Sequence, residues 1–439
     1  MPVTPPGGLL RRHRDFRLLW CGETAGKYGA AVTQVTMPLI AVSTLHADTF
    51  AIGLLSAAGW APWLVIGLPA GAWVDRLPRR PVMLTAAAVS LALFAAVPAA
   101  ARAGLLSIGL LLAVALLTGT AAVFFQTAYG AYLPGLLDPA DQPEGNAKLH
   151  GSASAAQIAG QGSGGLIAQL AGAVNGMFVN AATFLVSLLC LTGIRFREPR
   201  LPRAERPPRA LAAEVAEGLR LIAGDRWLRT LTLFAAASNL ALMGYQSIQV
   251  VFLVRTVGLA PGLVGGLLAA VSLGGVAGAL CARHVAGRVG DARATLLFEL
   301  GLAVTALLMP MTTDGPGVAL FAAGGFCVTA GVVAGNVLKA GFQQRYCPPH
   351  LLGRLTATSS FVSYGTLPLG ALLGGALGTA LGLRTAMWIT TAGIPLAGLI
   401  LFFSPIRHSR DLPASAPPGG GTPRAGHDDG PALPGRRPR

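Results

Sequence analysis

The chain is a succession of apolar runs, each about 20 residues or longer and so able to cross the hydrocarbon layer of a bilayer as a helix. Twelve can be drawn, starting near Phe16, Phe50, Pro81, Leu105, Ala147, Ala173, Leu228, Gly262, Ala294, Val318, Arg354 and Thr385. The longest polar interruption, RFREPRLPRAERPPRALAAEVAEGLR after the sixth run, is rich in proline and arginine and divides the runs six and six. The expected organisation is an all-α membrane protein with an N-terminal segment (1–15), a first six-helix bundle (16–194), a linker (195–227), a second bundle (228–406) and a disordered tail (407–439). From about Leu211 the linker alternates Val215, Leu219 and Leu221 with Glu214, Glu217 and Arg220, the pattern of an amphipathic helix on a membrane surface. The tail, with APPGGG and PGRRPR, is too polar and proline-rich to order itself.

Composition and charge sharpen this picture. Of 439 residues, 53% are hydrophobic and only 12% charged, yet the formal charge is +15. A soluble protein of that balance would aggregate, so the apolar residues face lipid. On an alternating topology only Arg102, Arg255 and Arg384 fall in outer loops. The other arginines crowd the N-terminus, the linker and the tail, which puts both termini in the cytoplasm and the protein in the inner (plasma) membrane. Nucleic acid is excluded as a partner, because no contiguous soluble domain presents the positive charge. The start, MPVTPPGGLLRRHRDF, is followed by too long an apolar run for a signal peptide and lacks a small-residue cleavage site, so the first span is retained.

Cys21, Cys190, Cys281, Cys327 and Cys347 are scattered, without C-x-x-C spacing, and read as small core residues. His13, His46, His150, His284, His350, His408 and His427 fall in loops or near helix ends, and no two share metal-ligand spacing. No metal or cofactor is expected.

The stretch GAWVDRLPRR, Gly71 to Arg80, lies between the second and third runs. Asp75 stands at the negative end of its own helix's dipole and needs a positive or N-terminal partner elsewhere, while Arg76, Arg79 and Arg80 hold the turn on the cytoplasmic face. This stretch resembles the loop between spans 2 and 3 of the major facilitator superfamily, roughly G-x-x-x-D-R-x-G-R-R. Gly71, Asp75, Arg76, Arg79 and Arg80 match, and Pro78 replaces the second glycine. RDFRLLWCGE, YGAYLPGLLDPADQPEGNAKL and LLGRLTATSSFVSYGTLPLGALLGG resemble the macrolide-efflux and enterobactin-exporter-like branch of that superfamily, from about Arg14 to Arg407. The resemblance implies twelve transmembrane helices in two pseudo-symmetric six-helix bundles, working as a monomer. An internal echo agrees with two halves: Gly278 and Ala279 answer Gly71 and Ala72, and Arg283 answers Arg76, although Ala282 replaces the aspartate. The family pattern also implies that Asp75 caps the start of span 11, near Leu351 to Thr356.

Gly160, Gly162 and Gly165 spell G-x-G-x-x-G, but no strand precedes them and no acidic residue follows at about 20 positions, as a dinucleotide site requires. They read as a close helix contact. The same GQGSGG resembles the superfamily's antiporter motif G-P-x-x-G-G with Gln161 in place of proline, so the helix kink that proline would cause is lost. Gly370, Gly374, Gly378 and Gly382 form a packing ridge in span 11.

Polar side chains inside spans carry the most information, because each costs free energy in lipid unless it faces protein or water. Span 1 has Glu23, Lys27 and Gln34 on one face; span 4 has Gln126 and Tyr129; span 7 has Asn239, Gln246 and Gln249; span 10 has Asn336 and Lys339. In the superfamily these four helices line the central cavity, so the residues are candidates for a substrate path. Glu23 and Lys27, four apart with the acid first, are the candidate proton-linked pair. Glu299 in span 9 is the other buried acid and the third proton-coupling candidate, although the peripheral place of that helix in this fold favours a structural partner for a cation.

The resemblance implies a secondary transporter that exports an amphipathic small molecule, exchanged for protons. Uncharged amides, aromatics and aliphatics on the expected cavity face suit a bulky, weakly polar cargo. Uptake by symport is the alternative within transport. A membrane-embedded enzyme or receptor ranks lower, since an enzyme needs acid, base or metal groups clustered at one depth, and beyond Glu23, Lys27 and Lys339 there are none.

Overall fold

The computed structural model of the chain describes residues 8–74, 76–196, 218–347 and 349–413. Among these, twelve long helical segments follow one another: α1 (Arg14–Leu39), α2 (Thr49–Val74), α3 (Arg79–Arg102), α4 (Ile108–Leu136), α5 (Gln142–Ala171), α6 (Ala173–Gly193), α7 (Arg226–Val251), α8 (Pro261–Val289), α9 (Asp291–Met311), α10 (Val318–Tyr346), α11 (Pro349–Leu381) and α12 (Leu383–Phe402). The local sequence explains several starts. Ser107 accepts from the backbone N–H of Leu110 at the head of α4, and Asp225 accepts from those of Trp227 and Leu228 at the head of α7, each satisfying donors that a helix N-terminus leaves open. Pro261 opens α8, where a missing N–H costs nothing.

Among the described residues, ten of these helices are long and apolar enough to cross a membrane. The two outside that group are α1 and α5. Both have the length, 26 and 30 residues, but α1 carries Glu23 and Lys27, and α5 carries Gln157, Gln161, Gln169 and several serines and glycines. Gln161 and Gln169 bond to residues of α8, and Glu23 and Lys27 line the cavity described below.

The packing repeats with an offset of six helices. In the first half α1 packs on α5 and α6, α2 on α4, and α3 on α4 and α6; in the second, α7 packs on α11 and α12, α8 on α10, and α9 on α10 and α12. The halves meet through α2 with α11 and α5 with α8, a pair that the same offset exchanges. Local details repeat as well. α1 runs into a π-helical turn at Ile40–Thr44 and α7 into one at Phe252–Thr256. Gly172 and Gly382, at φ +87° and +85°, make the tight junctions α5–α6 and α11–α12, a backbone region that glycine enters without strain. Gly382 is therefore a turn residue, whereas Gly370 and Gly374 of the same spacing lie against the backbone of α7.

The sequence echo of Gly71 with Gly278 is not the structural one. Gly278 lies well inside α8, which runs on to Val289, and packs on the backbone of Ala330 in α10. A Cβ on Gly71 would meet nothing within 4 Å. The true correspondence is carried by the π turns and the junction glycines, which a search for matching letters does not weigh.

Both ends of the bundle region are tied down. A one-turn helix, Leu9–Arg12, buries Leu9 completely, and its first N–H donates to Glu144 of α5 at 3.0 Å. At the other end the chain stays ordered past Arg407. Arg410 accepts from the N–H of Ala292 at 3.1 Å, Asp411 accepts from that of Asp291, and Leu412 is buried. These residues satisfy the open donors at the start of α9. Of the linker, residues 218–224 are helical, and Ile222 is buried against Trp227 and Leu228. The amphipathic helix expected from Leu211 otherwise lies outside the described residues, as do Asp75 and the tail after 413.

Candidate functional site

Between the halves lies a cavity of about 660 Å³. α1 contributes Glu23, Lys27, Thr33 and Gln34; α4 contributes Phe125 and Gln126; α7 contributes Gln246 and Gln249. Glu23 is buried, and its Oε1 lies 3.3 Å from the Lys27 ammonium, which is more exposed to the cavity. Helical spacing of four residues sets up this pair, and the pairing is what permits two charges at this depth. Trp60 and Trp63 of α2, Phe94 of α3 and Phe184 of α6 add aromatic surface, and small, aliphatic and hydroxyl side chains such as Ala30, Leu55, Ser90 and Met243 complete the lining.

Several expected lining residues stand elsewhere. No residue of α10 lines the cavity. Lys339 instead points into the second half, 3.0 Å from Glu299 of α9 and 5.0 Å above the ring of Phe234. Glu299 is buried on a π-helical turn, Leu297–Gly301, and the absence of a side chain on Gly335 makes room for its carboxylate. Asn336 is exposed, outside the lining. Asn239 donates to the Ser363 carbonyl at 3.4 Å and joins α7 to α11, and Tyr129 stacks on Phe125 behind the wall. Periodicity along one helix places a residue on a face but does not say which neighbour that face meets.

The aromatic wall escaped the sequence reading. Tyr364 of α11 stacks on Trp60 at 6.3 Å between ring centres and tilts against Trp63 at 5.3 Å, so one aromatic cluster bridges the halves. The signal was present as WAPW in the middle of span 2. Asn180 was also missed: it is fully buried, lines the cavity, and donates to Thr33.

The turn after α2 acts through its arginines. Arg79 donates to the Ala131 carbonyl near the end of α4 at 3.2 Å. Arg80 donates to the carbonyls of Leu191 at 3.1 Å and Thr192 at 2.7 Å, and Arg14 to that of Gly193 at 3.1 Å. The open carbonyls that end α6 are thus capped by two guanidinium groups, with the charge that its dipole favours. Arg76 continues the turn, its N–H bonded to the Trp73 carbonyl.

The closest approaches of the two halves lie at the opposite end, where α1 finishes and α2 begins. There Gly53 of α2 meets Gly375 of α11, and Gly165 of α5 meets Gly265 of α8, backbone to backbone. Arg255 reaches across from the end of α7 to the Ala47 carbonyl at 2.8 Å. His13, Asp138 and Asp141 bring ligand atoms within 4.8 Å of one another near the start of α1, but Asp141 already takes the guanidinium of Arg12 at 3.4 Å.

The sequence profile of the Major Facilitator Superfamily matches residues 19–368. The chain belongs to that superfamily. The superfamily and the relatives are transporters, not enzymes, and this member is a multi-pass membrane protein. It is 30% identical over 414 residues to the multidrug efflux pump Tap of Mycolicibacterium fortuitum, covering 91% of this chain and 97% of that one. With the pump of the same name from Mycobacterium tuberculosis (strain ATCC 25618 / H37Rv) it shares 28% over 377 residues, covering 83% and 87%. Among solved structures, an inward-facing bacterial homologue of the iron transporter ferroportin superposes with a TM-score of 0.72 at 16% identity, over 90% of this chain and 99% of that one. The nucleoside transporter NupG, as its D323A mutant, gives 0.72 at 11%, over 88% and 99%. These two likenesses are of fold.

Proposed function

We propose that this superfamily member exports amphipathic small molecules in exchange for protons, by alternating access to the cavity between its halves. The observation that carries the reading is the Glu23–Lys27 pair, the charged pair in a cavity whose other lining is amides, aromatic rings, small aliphatic side chains and hydroxyls. A charge at such depth costs about 3 kcal/mol on insertion scales, so an ion pair facing the cargo space is worth its place where it does chemistry. A proton arriving on Glu23 breaks the pair and shifts the balance between states open to one side and to the other. The aromatic cluster of Trp60, Trp63 and Tyr364 offers flat apolar surface to a bulky cargo. The names of the relatives, multidrug efflux pumps, support the direction and the cargo class.

In this reading α1 to α12 all span the plasma membrane as two six-helix bundles of a monomer, with both termini cytoplasmic. The glycine contacts then close the outer end, and the cavity faces the cytoplasm. The test is accumulation of ethidium by an efflux-deficient bacterial strain with and without the protein. Expression lowers accumulation, and a protonophore abolishes the difference. Equal accumulation in both strains contradicts the reading.

A further inference from the structure

Where the antiporter-like motif has Gln161, the side chain reaches in two directions at once. Its Nε2 donates to Oε1 of Gln34, a cavity-lining residue of α1, at 3.3 Å, and its Oε1 accepts from the hydroxyl of Ser272 in α8 at 2.6 Å. Gln161 is 9% exposed. A single amide therefore joins the cavity wall to the opposite half of the molecule. One turn away is the Gly165–Gly265 contact, and a further turn out Gln169 accepts from the Gly262 N–H at 3.0 Å. The α5–α8 seam is held by polar bonds, whereas the seam that corresponds to it, α2–α11, is apolar around Ala57 and Ala371, with Met243 of α7 packed beside them.

We propose that Gln161 is a positioning residue that couples the cavity to closure of the α5–α8 seam: Gln34 orients its amide so that its carbonyl oxygen holds Ser272. An amide donates on one side and accepts on the other, so fixing the donor side fixes the acceptor side. A cargo group that donates to Gln34 competes with Gln161 for the same oxygen, releases the amide to rotate, and weakens the grip on Ser272. The seam then opens more readily when the cavity is filled. Gln157, which also donates to Gln34 at 2.8 Å, holds Gln34 in place to receive Gln161.

This inference rests on the alternating-access reading, but its test needs no cargo. Spin labels at Leu170→Cys and Leu263→Cys, 83% and 59% exposed, flank the seam on a background with the five native cysteines replaced. Pulsed dipolar distances in nanodiscs give the ratio of open to closed seam. Ser272→Ala, Gln34→Leu and the volume-conserving Gln161→Met each raise that ratio roughly two- to tenfold, the effect of one net hydrogen bond. Gln34→Leu combined with Ser272→Ala raises it no further than either alone, because both act through one amide. Additive effects of those two substitutions, or a wild-type ratio in Gln161→Met, overturn the proposal. Failure of ethidium export with the predicted distance shifts intact would count against the transport reading and leave the coupling standing.

Discussion

Gly165 and Gly265 touch with no side chain between them: a Cβ on Gly165 would lie 2.7 Å from the Cα of Gly265, and a Cβ on Gly265 would lie 2.6 Å from the Gln161 carbonyl oxygen. Both clashes are with backbone, so no rotamer relieves them. Two helices from different halves approach this closely only where both residues are glycine. Gly265→Val therefore opposes the closed seam by the cost of overpacking, about 1–3 kcal/mol, or roughly 5- to 150-fold in the equilibrium. A cysteine placed at the cavity residue Ser56 reports this by its labelling with an impermeant maleimide added from the closed end. Labelling rises in Gly265→Val, and an unchanged rate contradicts the seam as the closing contact.

Arg80 ends α6 as much as it begins α3. Its two bonds to the Leu191 and Thr192 carbonyls are charge-assisted but partly exposed, which reduces their worth to about 1–2 kcal/mol. Arg80→Ala lowers the thermal midpoint of the purified protein, and Arg80→Lys, which keeps the charge without the planar fork, recovers only part of the loss. A midpoint equal to wild type in Arg80→Ala contradicts the capping role.

Docking of the N-terminal turn depends on pH through Glu144, which stands ahead of the apolar run starting at Ala147. The Leu9 N–H, first, and then Lys148 and Arg12 hold its carboxyl below the ordinary range for a glutamate. Its pKa is depressed in the folded state, so the contribution is present above the ordinary value and lost as pH falls through the lowered one. A spin label at Arg11→Cys is immobilised at neutral pH and becomes mobile on acidification. In a Glu144→Ala background it is mobile already at neutral pH. Mobility that is the same in both backgrounds would show that the turn is held by Leu9 packing alone.

The long helices were legible in the sequence because apolar length is a one-dimensional signal. The cavity was legible only in part. Glu23, Lys27 and Gln34 share a helix face that the spacing alone defines, and they line one wall. Lys339 shows the same kind of polar spacing, yet its partner Glu299 comes from another helix and takes it away from the cavity. Gln161 read as a proline lost, since its partner Ser272 is 111 residues away and nothing along the chain links them. Tyr364 was not singled out, because its place is fixed by two tryptophans of the other half.

In the proposed function Glu23 is the residue that links a proton to cargo movement. The measurement is ethidium flux in proteoliposomes under an imposed pH gradient, with ethidium binding followed separately. Glu23→Gln binds ethidium but loses the acceleration by the gradient, because the neutral amide no longer exchanges a proton or holds the Lys27 ammonium at 3.3 Å. Lys27→Ala still binds and shows a displaced pH optimum. If Glu23→Gln exchanges at the wild-type rate across the gradient, the pair is structural, the proton is carried elsewhere, and Glu299 beside Lys339 is the next acid to substitute.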